Sequence, residues 1–306
     1  MNPSQLNDRY GISGQLEFRE GAGGLVFAEV DNRQATASIC LQGAHLVTWR
    51  PKSQAEPVIW VSEAAKFAAG KSIRGGVPVC WPWFGPHATE GTFPAHGYAR
   101  TVSWEVTACQ ALEDGGTRVA FALMQNEQTR ALFPKACRLE LVLEIGEQLH
   151  VSLVTTNLDT EAIAIGEALH TYFRIGDIGE VQVSGLDGCD YLDKADGGRS
   201  KTQAGAVAFA AETDRIYLNT ASECVIEDAR LGRRIHIGKN GSLSTVVWTP
   251  WTEKAEKMGD FGAGRSGQGG WREMVCVESV NALENAVIVP AGETHRMTVE
   301  YAVEGL

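Results

Sequence analysis

The sequence predicts an all-β protein: a large antiparallel sandwich of twisted sheets with a few short helices, folded as one domain over residues 1–306. Three observations predict it. Apolar and polar residues alternate at period two far more often than apolar residues recur at helical spacing. Turn-forming clusters such as Asp114-Gly115-Gly116 and Asn240-Gly241 separate the alternating segments. No linker, low-complexity stretch or internal repeat divides the chain.

Taken in order, "SEAAKFAA" (62–69) is the first segment that reads as a helix, and it is short. "TVSWEVTACQALEDGGTRVAFALMQ" (101–125) reads as a hairpin around Asp114-Gly115-Gly116. In "RLELVLEIGEQLHVSLVTTN" (138–157), Leu139, Leu141, Leu143 and Ile145 share one face, with Glu140 and Glu144 on the other. "GEQ" then turns the chain into a return strand carrying Leu149, Val151 and Leu153. "RRIHIGKNGSLSTVVW" (233–248) holds Asn240-Gly241, a strong type I′ hairpin signal. "TEKAEKMGDF" (252–261) reads as a second short helix. The final "VIVPAGETHRMTVEYAVE" (287–304) is strand, turn, strand, with His295, Met297, Val299 and Tyr301 on one face.

Charge and cysteine usage restrict the partners. With 27 basic and 38 acidic residues the net charge is −11, which argues against nucleic acid or an anionic membrane surface. An anionic small molecule would need a local basic pocket. "MNPSQLNDRY" lacks the basic and apolar regions of an export signal, and no apolar run approaches the ~20 residues of a membrane span. Seven scattered cysteines, an odd number with no C-x-x-C, read as reduced thiols in a cytoplasmic protein. "GAGRSG" (262–267) matches a dinucleotide fingerprint, but a helix-like segment precedes it and a strand follows, the reverse of the required order. "AGKS" (69–72) lacks the first glycine of a P-loop. No H-E-x-x-H or paired metal-ligand spacing occurs, so a metal is not indicated.

Chemistry concentrates in four segments. "KSIRGGVPVCWPWFGPH" (71–87) and "PAHGYAR" (94–100) are aperiodic, rigid and aromatic, and carry Arg74, His96 and Arg100. Such loops suit a polar ring bearing an anion, since indole faces stack on sugars and guanidinium forks bind phosphate. They suit equally a plug at the end of a sandwich. In "EALHTYFRIGDI", alternation puts His170 on one face with Gly166, Ala168 and Tyr172, and two such small neighbours would leave open space above that face. In "EMVCVESVNA", Glu278 shares a face with Met274 and Cys276; a glutamate there is either a reactive group or the place where a strand meets water.

Together with "TDRIY" and "VVWTPWTEKAEKMGDF", these segments, in this order and spacing, resemble the hexose-6-phosphate mutarotases of the aldose 1-epimerase superfamily, from about Ala28 to the C-terminus. The resemblance implies a β-supersandwich of the galactose-mutarotase type. It also implies interconversion of the α and β anomers of a hexose 6-phosphate, glucose 6-phosphate first, without metal or organic cofactor. It makes His170 the acid and Glu278 the base, and gives substrate contacts to Arg74, Arg100, Asp214 and His96. The expected partner is a small hexose phosphate, and the expected state a monomer. For Trp248 an ordinary core position is expected, with a place in the pocket wall as the alternative. Two departures stand out: Ala95 replaces a glutamine that some members carry, and 262–273 is longer and richer in glycine than usual. Residues 262–270 are expected to form a mobile loop over the mouth of the site or else a passive insertion. The rival reading is a non-catalytic sugar-phosphate-binding regulatory module on the same fold. A secreted polysaccharide lyase or hydrolase fits less well, for want of an export signal.

Overall fold

A computed structural model describes residues 1–306. Period-two alternation becomes two large sheets, one of nine strands and one of eight, accompanied by a four-stranded N-terminal sheet and a two-stranded ladder. The two hairpins read most directly from alternation form as expected. Glu105–Ala111 pairs with Thr117–Leu123, and Cys137–Ile145 pairs with Leu149–Asn157. Both belong to the nine-stranded sheet, whose longest strand is Thr294–Gly305. Met297, Val299 and Tyr301 of that strand are buried, as their shared face predicts. One cluster of 70 buried residues runs from Leu6 to Tyr301. Within it Tyr301 of the nine-stranded sheet packs on Phe173 of the eight-stranded sheet, with ring centroids 5.3 Å apart. The Tyr301 hydroxyl also lies 2.7 Å from Thr171 Oγ1. No helix is long and apolar enough to cross a membrane, and all seven cysteines are free, five of them buried.

Three expectations are corrected. Residues 62–69 form turns, not a helix. Ser62 Oγ accepts from Ala64 N–H, but Gln42 then takes the backbone of 68–71, binding Ala68 O, Lys71 O and Gly70 N–H. Eight residues cannot hold a helix against such tertiary bonds. Asn240-Gly241 does not close a hairpin either. Arg233–Asn240 lies in the nine-stranded sheet and Ser244–Thr249 in the eight-stranded one, so the turn carries the chain between sheets. Gly241 has φ +71°, and an added Cβ would stand 2.1 Å from Arg296 O; the glycine serves close packing as well as the turn. Helices also form where alternation hides them, at Pro3–Tyr10 and Glu127–Leu132, each opened by a capping box on Asn2 or Asn126. The helix expected at 252–261 is present as Trp251–Met258, ended by Gly259 in the left-handed region.

A polar tie joins the two large sheets. Glu167, fully buried, accepts from Asn281 Nδ2 at 2.9 Å and lies 2.8 Å from His295 Nε2. The bond to Glu167 holds His295 above its ordinary 6.5. A raised folded-state value means that the tie stabilises fully below about pH 6.5 and is lost as pH rises through the folded value. His295→Leu leaves Glu167 buried without its partner and is expected to cost about 3 kcal/mol near pH 6. Urea unfolding of both proteins from pH 5.5 to 8.5 should show the gap narrowing as pH rises. A constant gap would remove the charge from this account.

Candidate active site

The eight-stranded sheet sets the central geometry through register. Strand Met274–Asn281 is buried throughout, and it pairs with Glu167–Leu169 and then with Tyr172–Arg174. Leu169 stands opposite Ser279 and Tyr172 opposite Cys276, so the intervening His170 stands opposite Glu278. The ladder opens at that point because other backbone takes the free groups. His170 N–H donates to Pro78 O and Tyr172 N–H to Gly76 O. Across the other edge Val246 stands opposite Glu278 and Trp248 opposite Cys276, and Asp214 in turn opposite Trp248. Cross-strand neighbours share a face. His170, Glu278, Val246 and Ile216 therefore form one row, and Tyr172, Cys276, Trp248 and Asp214 the next.

This face floors a cavity of about 310 Å³ whose lining includes all six residues singled out in the sequence: Arg74, His96, Arg100, His170, Asp214 and Glu278. His170 Nδ1 lies 3.3 Å from Glu278 Oε1, with side chains 12% and 1% exposed. Glu278 is thus interior and mid-strand, not the water-facing end of a strand. The open space is not where the small residues suggested. A Cβ on Gly166 would meet Phe84 N at 3.1 Å and Trp83 Cα at 3.3 Å, so the 81–86 loop covers that side. The cavity opens instead above Glu278 and Trp248. Trp248 is both core and wall: it is 7% exposed, lines the cavity and meets the His170 ring edge-on at 6.1 Å.

The two aperiodic loops are stitched to each other, which places His96. His96 N–H donates to Gly85 O at 2.7 Å, and Tyr98 N–H donates to Trp81 O at 3.1 Å. Gly97 at φ +72° makes this approach possible, since a Cβ would stand 1.9 Å from Trp81 O. His96 itself takes φ +66°, a strained conformation for a non-glycine residue. Its Nδ1 accepts from Gly85 N–H at 3.3 Å, which leaves Nε2 as the protonated nitrogen. Burial, then Arg100, pushes His96 down to about 3, so it presents a neutral N–H donor.

The cations differ in commitment. Arg74 Nε donates to both oxygens of Asp260 at 3.0 and 3.1 Å, and its Nη1 to the Tyr172 hydroxyl at 2.8 Å. Burial opposes its charge, but Tyr172 and Asp260 outweigh burial and hold it protonated. Arg100 donates to Ala95 O at 2.8 Å, so the position where some members carry glutamine contributes its backbone. Lys254 lies 2.6 Å from Glu212 and 3.6 Å from Asp214. Burial raises Asp214, and Lys254 and Lys194 oppose that. Arg74 was legible in the sequence; Asp260, Tyr172, Lys194 and Lys254 were missed. For Asp260 the only signal was its place in the quoted "MGDF" segment.

Residues 262–270 do not line the cavity. They fold back on themselves through Gly267 N–H to Gly264 O, Gly269 N–H to Ala263 O and Gly270 N–H to Gly262 O. Arg265 pairs with Glu56 at 2.6 Å. The segment contributes no residue to the cavity lining, which favours the alternative of an insertion outside the cavity. Cys276 Sγ lies within 4.8 Å of the His170 and Glu278 ligand atoms. Burial, then Glu278, holds this thiol well above 9, so it stays protonated and suits a hydrogen-bonding floor better than a metal site.

Burial pushes the paired groups in opposite directions. It raises Glu278 well above 4.5, with Asp214 adding to the rise and Arg100 opposing it. It lowers His170 well below 6.5, with His96, Arg100 and Arg74 adding to the fall. A carboxylate so raised is a stronger base, and an imidazolium so lowered a stronger acid. Together they form a unit that holds one proton over a wide pH range.

A family model described as aldose 1-epimerase matches residues 28–302. The chain belongs to the aldose 1-epimerase family. It is 38% identical over 267 residues to an Escherichia coli K12 protein named "Putative glucose-6-phosphate 1-epimerase", covering 87% of this chain and 86% of that one. A Cenchrus ciliaris protein of the same name is 32% identical over 279 residues, covering 86% and 80%. Among solved structures, a Salmonella typhimurium protein described as a "putative mutarotase (YeaD)" superposes with TM-score 0.88 at 34% identity, covering 97% of this chain and 96% of that one. A "galactose mutarotase related enzyme" from Lactobacillus acidophilus shares the fold at TM-score 0.72 and 13% identity. The chain therefore has the galactose-mutarotase type of supersandwich, and sugar mutarotation is its class of reaction.

A proton shared by the pair would set a pH dependence for that reaction. Activity is expected to need one proton on the pair: a second is added at pH below the ordinary histidine value, and the last is lost well above the ordinary carboxylate value. The profile of kcat/KM against pH should therefore be a broad plateau. An alkaline limb inside the usual carboxylate range would contradict the burial argument.

Proposed function

We propose that this protein, a cytoplasmic monomer, interconverts the α and β anomers of hexose 6-phosphates, glucose 6-phosphate first. One observation carries the reading. A paired histidine and glutamate floor a cavity that also gathers Arg74, Arg100, Lys194 and Lys254, in a chain whose net charge is −11. Such a chain offers a dianion no general attraction, so this cluster of cations is local and specific. The relatives named as glucose-6-phosphate 1-epimerases support the same substrate. Seven unpaired cysteines suit a reducing compartment.

In the forward step Glu278 removes the proton of the anomeric hydroxyl. The O–H electrons form the aldehyde C=O, the bond from C1 to the ring oxygen breaks, and the ring oxygen takes a proton from the His170 imidazolium. The pair ends as carboxylic acid and neutral imidazole, the protonation state that burial favours. Rotation about C1–C2 and the reverse transfers close the ring on its other face. The dianionic substrate assists by offsetting the Arg74 and Arg100 charges that depress His170. His96 Nε2–H and Asp214 hold ring hydroxyls.

The test is anomer exchange measured by NMR on glucose 6-phosphate and on glucose, with and without protein. Higher kcat/KM on the phosphate is the expected result. Higher kcat/KM on free glucose would make this an aldose mutarotase without phosphate selectivity.

A further inference from the structure

The four cations of the cavity are not equally available. Arg74 is spent on Asp260 and Tyr172, and Lys254 on Glu212 and Asp214. Arg100 makes one bond to a backbone carbonyl. Lys194 is exposed, lines the cavity beside His96 and Arg100, and has neither an ion pair nor a hydrogen bond. That freedom needs an explanation, because Lys194 sits among carboxylates in "YLDKAD".

Lys201 supplies it. Its ammonium lies 2.7 Å from Asp193 and 2.8 Å from Asp196, and Arg199 takes Asp196 as well at 3.4 Å. Asp193 also begins the fixed geometry: its strand Asp190–Asp193 pairs with Thr213–Tyr217, which carries Asp214, and Lys194 opens the short turn that follows. The local acids are thus consumed by residues on the next strand, and Lys194 is left uncompensated at the cavity rim. Lys194 and Arg100 both depress His96, so the two charges bear on one corner of the cavity.

We propose that Lys194 closes with Arg100 on the 6-phosphate of the substrate, as its principal mobile clamp, while Lys201 keeps Lys194 free by occupying Asp193 and Asp196. This rests on the hexose 6-phosphate reading. A lysine on a flexible four-carbon stem delivers a point charge to phosphate without the fixed geometry of a guanidinium. Arg74, already neutralised by Asp260, instead fixes Tyr172 against the ring of the catalytic histidine, 5.0 Å away.

The experiment measures anomer exchange by wild type, Lys194→Met, Lys194→Arg, Lys201→Met and Arg100→Ala, together with binding of inorganic phosphate by calorimetry. Lys194→Met should raise KM for glucose 6-phosphate about ten- to a hundredfold with kcat changed far less, since charge-assisted bonds are lost. Its affinity for inorganic phosphate should fall in parallel. Lys194→Arg should retain most affinity, and Lys201→Met should raise KM by a smaller factor as Asp193 and Asp196 capture Lys194. An unchanged KM in Lys194→Met beside a raised KM in Arg100→Ala overturns the clamp and leaves the substrate reading intact. Wild type preferring free glucose overturns the substrate reading. The clamp, which rests on that reading, falls with it, and loss of inorganic phosphate binding in Lys194→Met would then mark an anion site and not a clamp on substrate.

Discussion

Glu278→Gln is expected to slow anomer exchange on glucose 6-phosphate by about a thousandfold, and His170→Ala to a similar extent, because a well-placed proton transfer contributes roughly 10²–10⁴. Neither group can replace the other. His170 faces Glu278 across the ladder at 3.3 Å, and the nearest further imidazole, His96, is a neutral donor. His96→Ala should therefore cost much less, about tenfold, through lost hydroxyl contacts. Stability distinguishes lost chemistry from lost structure. Glu278 is buried with Oε2 unpartnered, and burial already favours its neutral form. The isosteric neutral amide should leave the melting temperature unchanged or raise it, as expected where function is held at a cost to stability. A Glu278→Gln protein exchanging anomers at near wild-type rates would remove Glu278 from the mechanism.

Arg100→Ala is expected to weaken apparent affinity for glucose 6-phosphate about ten- to a hundredfold while largely sparing free glucose, since its guanidinium faces no carboxylate and is available to phosphate. Arg74→Ala should behave differently, although the sequence offers the two arginines as equals. Removing Arg74 frees Asp260 and the Tyr172 hydroxyl and takes away the cation over the Phe261 ring, 5.0 Å from its centroid. The loss should then fall on both sugars and on thermal stability. Steady-state exchange kinetics on the two sugars, with melting curves, decide it. Equal and phosphate-selective losses in both variants would show that the Asp260 pairing does not hold Arg74 back.

Alternation showed which residues share a face, and so placed Leu139 with Leu141 and Met297 with Tyr301. It could not show which strand lies beside which. The His170–Glu278 contact spans more than a hundred residues of sequence, and only the family resemblance brought the two together. The Asn240-Gly241 signal failed for a related reason: the turn residues were read correctly, but the sheet each flanking strand joins is fixed by distant partners. Ser62–Ala69 had helical composition and lost to Gln42, a residue twenty positions upstream. Lys194 was invisible because being unpaired is a property of its neighbours' partners, here Lys201.

The register that sets His170 opposite Glu278 also determines which changes in length this chain tolerates. Asn281 anchors the far end of the Glu278 strand, donating to Gly241 O and Glu167 and accepting from Leu243 N–H. Length changes in 262–269 lie outside that anchor, so the strand beyond stays in place while the segment grows or shrinks. A single residue inserted between Val277 and Glu278 would do the opposite. With Asn281 fixed, the face of every residue before the insertion would be inverted, turning Cys276 and Met274 away from the cavity and Val275 toward it. Indels would thus divide this chain sharply within a few residues, silent on one side of Met274 and lethal to catalysis on the other, with the fold's own ladder as the measuring rule.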